Sequence, residues 1–337
     1  MGRKPGAVDV AQAAGVSPAT VDRVLNDRGG VSLRKQKLVL EWANKLGLDR
    51  NLKRRPSRIA RVGIIMPEPS NPFYESLTVG FAKANRIFFS ANMQNVIYHA
   101  DIFAHAEKAA LIKSLSRTHD ALIIVSAENS AVTNALRVVS SSIPIVTIAS
   151  DLPESGRLAY VGPNNYSAGR VAADLIGRLV GPQGGAVLVM SGHNSLVCHG
   201  ERETGFRSAL AELHPACQVI GAVESGEQRN KTGEIIREVL QKHSTLKGIY
   251  NISSGNRDLA NMLRYLRRDQ DIVLITHELT ADRRELLRAG IIDAIIDQNP
   301  EMEAIIAVET LAHHFGRVEV TSASPATPFT LHFRENC

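Results

Sequence analysis

Ser17, Thr20, Arg23 and Asn26 recur at three-residue spacing in the stretch Ser17-Pro-Ala-Thr-Val-Asp-Arg-Val-Leu-Asn26. On a helix, residues three and four apart share a face. Thr20, Arg23 and Asn26 therefore project together, with Ala19, opposite the apolar Val21, Val24 and Leu25. An arginine at the centre of such a face can donate two parallel hydrogen bonds to guanine O6 and N7 in a major groove. Further along lie Arg34, Lys35 and Lys37, which could meet phosphates and set register. The alternative for each of these three is an ordinary solvated charge. A second set of polar residues is spread over the rest of the chain: Asn71, Ser126, Ser150, Asp151, Arg202, Asn256, Glu278 and Gln298, with the aromatics Phe73 and Tyr74. Polyhydroxylated ligands need that mixture. Arginine and carboxylate groups read neighbouring hydroxyls in pairs, and aromatic faces stack on C–H surfaces.

The elements that must hold the first set are legible. Val10, Ala13 and Ala14 fall on one face of a short helix. Gly15 can adopt the positive φ that ends it. Ser17 then stands where an N-cap belongs and Pro18 at the first helical position, where its missing N–H costs nothing. Two short helices around a Gly-containing turn make a helix-turn-helix. A third amphipathic helix follows, with Leu38, Val39, Trp42, Ala43 and Leu46 inward and Gly47 closing it. Charge agrees. Residues 1–61 carry 14 Lys and Arg against 5 Asp and Glu, a net of +9; the rest of the chain holds 25 against 29, a net of −4. A basic end on a mildly acidic body suggests a polyanionic partner, the bland alternative being a solvated tail.

This stretch resembles the N-terminus of the LacI/GalR family of transcriptional regulators. The resemblance rests on Val10-Ala11, Ala14-Gly15-Val16-Ser17, Ala19-Thr20-Val21 and Arg23-Val24-Leu25-Asn26. In that family the first two side chains after the Ser select the operator. Here they are Pro18 and Ala19, which can at most pack on a thymine methyl. Asp22 stands where the family has Ser, and its carboxylate repels phosphate. Residues 48–61 read as a linker in which six of fourteen are Arg or Lys. The family's hinge helix and its minor-groove leucine are implied at this place. Asn51 matches the start of that pattern, but Arg54 and Ser57 replace its Ala and Leu, and Pro56 would interrupt a helix. The expectation is phosphate contact through Lys53, Arg54 and Arg55 rather than a kinking wedge.

From residue 62 on, short apolar runs alternate with helix-length segments. The runs are 62–66, 95–98, 121–125, 145–148, 186–190, 218–222, 248–251, 272–276 and 293–297. The helical segments include 73–89, 104–116, 166–180, 201–213, 231–243 and 257–268. This alternation predicts an α/β fold of parallel sheets covered by helices on both faces. About nine or ten strands in 276 residues suit two doubly wound lobes. No marker separates the lobes, which fits a chain that crosses between them more than once. Ligands bind outside the carboxyl ends of such strands. There the sequence places Asn71, Phe73 and Tyr74, then Asp101, Ser126 with Glu128, Ser150 with Asp151, Asn194 and Arg202, residues 251–256, His277 with Glu278, and Gln298.

The same family's effector domain, which shares its fold with periplasmic sugar-binding proteins, is similar here too. Asn71-Pro72-Phe73 looks like its first loop, and Tyr160-Val-Gly-Pro-Asn164 with Gly169-Arg170 like its passage into the second lobe. Arg202 with Gly205-Phe206 matches R-x-x-G-F, in which the Arg holds the ligand. Asn256, Glu278 and Gln298 fall where the family has its Asn, Asp and Gln. The departures are His277-Glu278 in place of Gly-aromatic-Asp, and Ser253-Ser254-Gly255 lengthening the loop before Asn256.

Together these readings imply three parts: a helix-turn-helix domain at 1–47, a basic linker at 48–61, and a two-lobed, periplasmic-binding-protein-like ligand and dimerisation domain at 62–337. The resemblance implies a homodimeric repressor of operator DNA controlled by a monosaccharide or polyol. With no leucine heptad at the C-terminus, a dimer is expected over a heptad-joined tetramer. No G-x-G-x-x-G after a strand, Walker A or G-x-S-x-G elbow is present, so neither a cofactor nor an enzyme is expected. His313-His314 are adjacent on a helix and point about 100° apart, so no metal is expected, and the adjacent Cys198-His199 is not read as a catalytic dyad. Cys198, Cys217 and Cys337 suggest no disulfide framework. The N-terminus lacks a secretory pattern and no run is long enough to span a membrane, so a cytoplasmic protein is expected. A solute-binding receptor is the alternative that the larger region alone would permit.

Overall fold

A computed structural model describes residues 5–26, 28, 30–46, 48, 58–193, 195–226, 231–318 and 326–337, apart from the side chains of Leu33, Lys37 and Asn44. The chain divides into an N-terminal unit, which runs to Ile59 and is grouped with Phe89–Asn92, and a larger unit made of Ala60–Phe88 and Met93–Cys337.

The N-terminal unit holds α1 (Ala7–Ala14), α2 (Pro18–Leu25) and α3 (Leu33–Lys45). The Asp9 carboxylate opens α1 by accepting from the Gly6 N–H at 2.6 Å. Gly15 ends it at φ 63°. Ser17 caps α2, its Oγ accepting from the Thr20 N–H at 3.1 Å, and Pro18 is the first helical residue. Val10, Ala11, Ala14, Val21, Val39, Ala43 and Leu48 form the core, with Val24, Leu25, Trp42 and Leu46 leaning on it. Leu38, expected inward, is exposed. The inward stripe of α3 is Val39, Trp42, Ala43 and Leu46, and Leu38 lies about 100° round the helix from Val39.

In the larger unit the first lobe runs β1 (Ala60–Met66), α4 (Pro72–Ile87), β2 (Met93–His99), α5 (His105–Leu115), β3 (Ala121–Ile124), α6 (Ser130–Ser140), β4 (Ile145–Ile148) and β5 (Ala159–Val161). Its sheet is parallel throughout, in the order β2-β1-β3-β4-β5. The second lobe runs α7 (Asn165–Val180), β6 (Gly185–Ser191), α8 (Val197–Leu213), β7 (Cys217–Glu224), α9 (Thr232–Lys242), β8 (Leu246–Asn251), α10 (Asn256–Tyr265), β9 (Val273–His277), α11 (Ala281–Arg288) and β10 (Ala294–Asp297). Then follow α12 (Pro300–His314) and β11 (Thr330–His332), giving the order β11-β10-β9-β8-β6-β7. Leaving β11 aside, both sheets repeat one winding, in which the second strand lies outside the first and the third to fifth follow on the other side.

The central strands β3 and β4 are wholly buried. This is why they read as unbroken apolar runs instead of alternating ones. Each predicted run falls within a strand to within a residue or two, but β5, β11, α6 and α11 were not anticipated, and of α12 only the His313-His314 end was read as helical. The expectation of purely parallel sheets needs one correction. β11 pairs antiparallel to β10, with Ile295 opposite His332.

That strand arrives from the other lobe, which explains its direction. After β10 the chain leaves the second lobe, and α12 packs on α4 of the first. Gly80 permits this approach, since a Cβ there would lie 2.6 Å from the Glu301 carbonyl oxygen. Lys83 and Glu301 pair beside it. Ala326 then bridges Gly162, with the Thr327 N–H donating to the Gly162 oxygen at 3.0 Å, before β11 returns to the second sheet. The chain thus crosses between lobes three times.

Candidate functional site

In the N-terminal unit, the polar face of α2 is presented outward. Ser17, Pro18, Ala19 and Arg23 are exposed, and Thr20 and Asn26 are half-buried. Ser17 Oγ and Thr20 Oγ1 lie 2.9 Å apart. Gly30 leaves room for the Arg23 guanidinium, since a Cβ there would sit 3.2 Å from Nη1. Asp22 is not a bare carboxylate. Asn26 Nδ2 donates to its Oδ1, and Arg28 pairs with its Oδ2 at 3.0 Å. This local pairing offsets the repulsion a phosphate would otherwise meet. On α3, Arg34 and Lys35 are exposed. Asn51, Lys53, Arg54 and Arg55, with the other linker residues from Asp49 through Ser57, lie outside the described residues, as does Asn194.

The larger unit forms a cleft of about 600 Å³, the open part included. It lies between the carboxyl ends of the two sheets, where a doubly wound fold binds ligands. One wall is first-lobe: Asn71, Phe73, Tyr74, Val125, Ala149 and Ser150. Asn71 caps α4, its Oδ1 accepting from the Phe73 N–H at 3.1 Å. Phe73 and Tyr74 stand edge to face with centroids 5.3 Å apart. The opposite wall is second-lobe and includes Arg202, Ser253, Ser254, Glu278, Arg283 and Gln298.

Arg202 is the best-held side chain of the cleft. Two glycines put it there. Gly169 of α7 and Gly205 of α8 let the two helices meet backbone to backbone. A Cβ at Gly169 would lie 2.0 Å from the Arg202 oxygen, and one at Gly205 2.0 Å from the Tyr166 oxygen. This is the physical content of the R-x-x-G-F spacing. Arg202 is almost fully buried. Its Nε donates to Asn165 Oδ1 and its Nη2 to Gln298 Oε1, both at 2.8 Å.

Glu278 presents the complementary group. It follows β9 with a left-handed φ of 65°. Its carboxyl accepts no hydrogen bond from the described residues, and Oε2 is buried without a partner. Burial, then the charge of Asp297, pushes its pKa up to about 8, against the pull of Arg202 and Arg283. Arg283 clamps the loop from below, Nη1 donating to the His277 oxygen at 2.6 Å and Nη2 to the Ser253 oxygen at 3.4 Å. Burial first, and then the charge of Arg202, hold His199 down at about 3 and His277 well below its ordinary value. Both imidazoles are therefore neutral at pH 7.

Not every expected residue reaches the cleft. Asn71, Phe73, Tyr74, Ser150, Arg202, Glu278 and Gln298 line it. Ser126 is turned into the first lobe, donating to the Ala127 oxygen at 2.9 Å and accepting from the buried Lys108 ammonium at 3.3 Å. Asp151 is taken by Arg157, which bonds both its oxygens, and by Thr147 at 2.8 Å. Asn256 is spent on Asn251, accepting at 2.9 Å to shape the loop before α10. Arg283 and Glu303 were missed. Arg283 sits in the charged run Ala281–Arg288, which reads as a solvated surface. Glu303 of α12 is fully buried, with neither carboxyl oxygen bonded among the described residues, and burial holds its pKa well above the ordinary value. No sequence signal marked it.

The two walls also touch each other. The Cys198 N–H, near the start of α8, donates to Ser150 Oγ at 3.4 Å. The Glu128 N–H donates to the Ser195 oxygen at 2.7 Å, and the rings of Phe103 and His193 lie 4.5 Å apart.

This geometry agrees with family-level comparison. Residues 8–51 match the model described as "Bacterial regulatory proteins, lacI family", and residues 62–316 match "Periplasmic binding protein domain". The chain belongs to the periplasmic binding protein domain family, and its N-terminal stretch carries a lacI-family regulatory domain. Among its relatives is the HTH-type transcriptional regulator RegA of Clostridium saccharobutylicum, 33% identical over 35% of this chain and 36% of that protein. Another is catabolite control protein A of Staphylococcus aureus, 24% identical over 71% of this chain and 69% of that one. The chain thus aligns with about a third of RegA and about two thirds of the control protein. Among solved structures, an ABC-transporter solute-binding protein of Burkholderia graminis in complex with D-arabinose superposes at TM-score 0.75. It is 24% identical and covers 82% of this chain and 96% of that one. At that identity the likeness shows the fold of the larger unit. Among the described residues no cluster of His, Cys, Asp and Glu is placed to hold a metal ion, and no helix is long and apolar enough to cross a membrane.

Proposed function

We propose that this regulator is a cytoplasmic homodimeric repressor whose hold on a near-palindromic operator is set by a small sugar or polyol in the cleft. Two copies of the exposed face of α2 would read two half-sites, Arg23 reaching a base edge and Lys35 with the linker residues Lys53, Arg54 and Arg55 meeting phosphates. Residues 48–61 would relay the state of the effector unit.

One observation carries the reading. Arg202 faces the cleft while bonding Asn165, at the head of the first interlobe crossing, and Gln298, at the start of the second. A ligand gripped by Arg202 therefore acts on the segments about which the lobes turn. Ligand control needs a difference in affinity between two lobe geometries, and such couplings are about 1–3 kcal/mol. The sugar-bound relatives in fold support a sugar-like ligand.

The test is enrichment of sheared genomic DNA on the tagged protein at ~100 mM salt, with and without a panel of sugars and polyols. One or a few near-palindromic sites, lost or gained with one compound, is the expected result. Deletion of residues 1–59 should then keep ligand binding and lose DNA. A protein that enriches no site under any condition, yet binds a sugar, would instead be a solute receptor.

A further inference from the structure

We infer that Phe103 and His193 are the catch that holds the two lobes closed over the ligand, and so set the ligand concentration at which the regulator responds. The inference rests on the cleft reading above and deepens it from where the ligand sits to what keeps it there.

The crossings between the lobes all lie on one side of the larger unit. They leave after β5, at one edge of the first sheet, and after β10, and the last returns into β11 at the edge of the second sheet. Phe103 follows β2, the opposite edge of the first sheet. His193 follows β6, which β8 and β9 separate from β10. The two rings lie with centroids 4.5 Å apart and planes tilted by 40°, within the separation at which aromatic pairs attract. Two further ties lie nearer the crossings. The Glu128 N–H, after β3, donates to the Ser195 oxygen at 2.7 Å, and the Cys198 N–H donates to Ser150 Oγ, after β4, at 3.4 Å. When the lobes turn about the crossings, points separate in proportion to their distance from them. The ring pair stands farthest out of the three contacts, so opening parts it most.

Both rings are held by neighbours in their own lobe. Asp101 Oδ1 accepts from the Phe103 N–H at 2.8 Å, a task that takes Asp101 away from the ligand. His105 stands edge to face with Phe103, centroids 6.4 Å apart. His193 Nδ1 accepts from the Ser195 N–H at 3.1 Å, and Ser195 Oγ lies 2.8 Å from the same nitrogen. Groups ordered in advance lose little entropy when they meet. Neither ring lines the cleft. The pair therefore favours the closed geometry without choosing among ligands. Apparent affinity scales with the fraction of the protein in the binding geometry, so the catch shifts every ligand by one factor.

The full chain can be titrated by calorimetry with D-glucose, D-galactose, D-xylose, D-arabinose, D-ribose and sorbitol. Phe103→Ala should weaken every compound that binds by the same factor, about two- to tenfold, the contribution of one aromatic pair. Phe103→Tyr keeps the ring and should bind as the parent does. His193→Ala alone should give at least that loss, and serves where Phe103→Ala does not fold. In the His193→Ala background, Phe103→Ala should cost nothing further. Parent-like affinity in Phe103→Ala, losses that add in the double variant, or a changed order of preference among the compounds would overturn the catch and leave the cleft as the ligand site. Binding that survives in Arg202→Ala, or an absence of binding by every compound, would overturn the inference and the cleft reading together.

Discussion

Ala149 and Glu278 stand at equivalent places in the two lobes. Each is the residue directly after the fourth strand of its sheet, β4 and β9, and each has left-handed backbone, φ 67° and 65°. Both line the cleft. Such backbone costs about 1–2 kcal/mol for an L-residue and persists only where the surroundings enforce it. Here they do: the Ala149 N–H donates to the Val161 oxygen at 3.2 Å, and the Glu278 N–H to the Ile296 oxygen at 3.0 Å. Ala149→Gly should therefore stay within about 1 kcal/mol of the parent, strain relief offsetting the greater unfolded-state freedom of glycine. Ala149→Val should be clearly less stable than either. Urea midpoints of the three proteins check this, and a Val variant as stable as the parent would refute it.

The α7–α8 contact makes a sharper prediction about packing. Gly205→Ala puts a methyl 2.0 Å from a backbone oxygen, which neither helix can yield without moving. Overpacking of this kind costs typically 1–3 kcal/mol, and the collision with backbone places this case at or above the upper end. Gly200→Ala, on the same helix with open space around it, should be neutral or stabilising by up to about 1 kcal/mol. Thermal unfolding of the pair separates a steric effect from helix propensity.

The fold was legible because its strands are buried on both sides. Runs such as 121–125 and 145–148 could only be central parallel strands, and Ser17-Pro18 announces a helix start by chemistry alone. β5 and β11 escaped because three-residue strands carry no periodicity, and the direction of β11 depends on a route through the other lobe that no local signal encodes. At the cleft, Arg202 was readable from its spacing to Gly205. Asp151 was misplaced because its partner, Arg157, lies six residues on in a loop, and loop polarity alone does not say which way a side chain turns. Arg283 was hidden for the opposite reason, since five charges in eight residues look like a solvated helix.

Stability should peak in mildly acidic solution. Glu278 has its folded-state pKa raised from 4.5 to about 8, and Glu303 is shifted the same way. The native state holds those protons more tightly than the unfolded chain, so stability is lost as pH rises from about 4.5 toward 8. His199 and His277 are shifted down from 6.5. They hold protons less tightly when folded, so stability is also lost as pH falls below about 6.5. Each group contributes a slope of at most about 1.4 kcal/mol per pH unit. Melting temperature should therefore be highest between about pH 4.5 and 6.5. Glu278→Gln should flatten the decline between pH 6 and 8, and an unchanged decline would remove Glu278 as its source.

On the DNA side, Arg23→Ala and Lys35→Ala should fail in different ways. Loss of a bidentate base contact costs about 1–3 kcal/mol and relaxes preference at one base pair of each half-site. Loss of a phosphate contact weakens binding to all sequences alike and lowers the salt slope by about one per site. Gel shifts on the enriched operator and on single-base variants, at two or more salt concentrations, distinguish them. Equal loss on all sequences for Arg23→Ala would place that residue on the backbone.

Asn165 tests how the cleft is heard by the rest of the chain. Its Oδ1 accepts from Arg202 of the second lobe, and its Nδ2 donates to the Tyr160 hydroxyl of β5 at 3.1 Å. That hydroxyl in turn donates to the Ala149 oxygen at 3.3 Å. Asn165 is the shared partner that links the cleft-lining guanidinium to the first lobe across a crossing segment. Arg202 keeps Gln298 and the cleft when Asn165 is shortened, so ligand affinity in Asn165→Ala should fall by no more than about tenfold. The coupling should suffer more, because the first lobe no longer senses where Arg202 is held. The expected result is a variant that binds both ligand and operator while the ligand changes operator affinity less than about twofold, against the roughly 5–150-fold of an intact coupling. Measuring operator affinity with and without saturating ligand, in parent and variant, closes the thermodynamic cycle. Undiminished coupling in the variant would show that the signal travels through Gln298 and α12 instead.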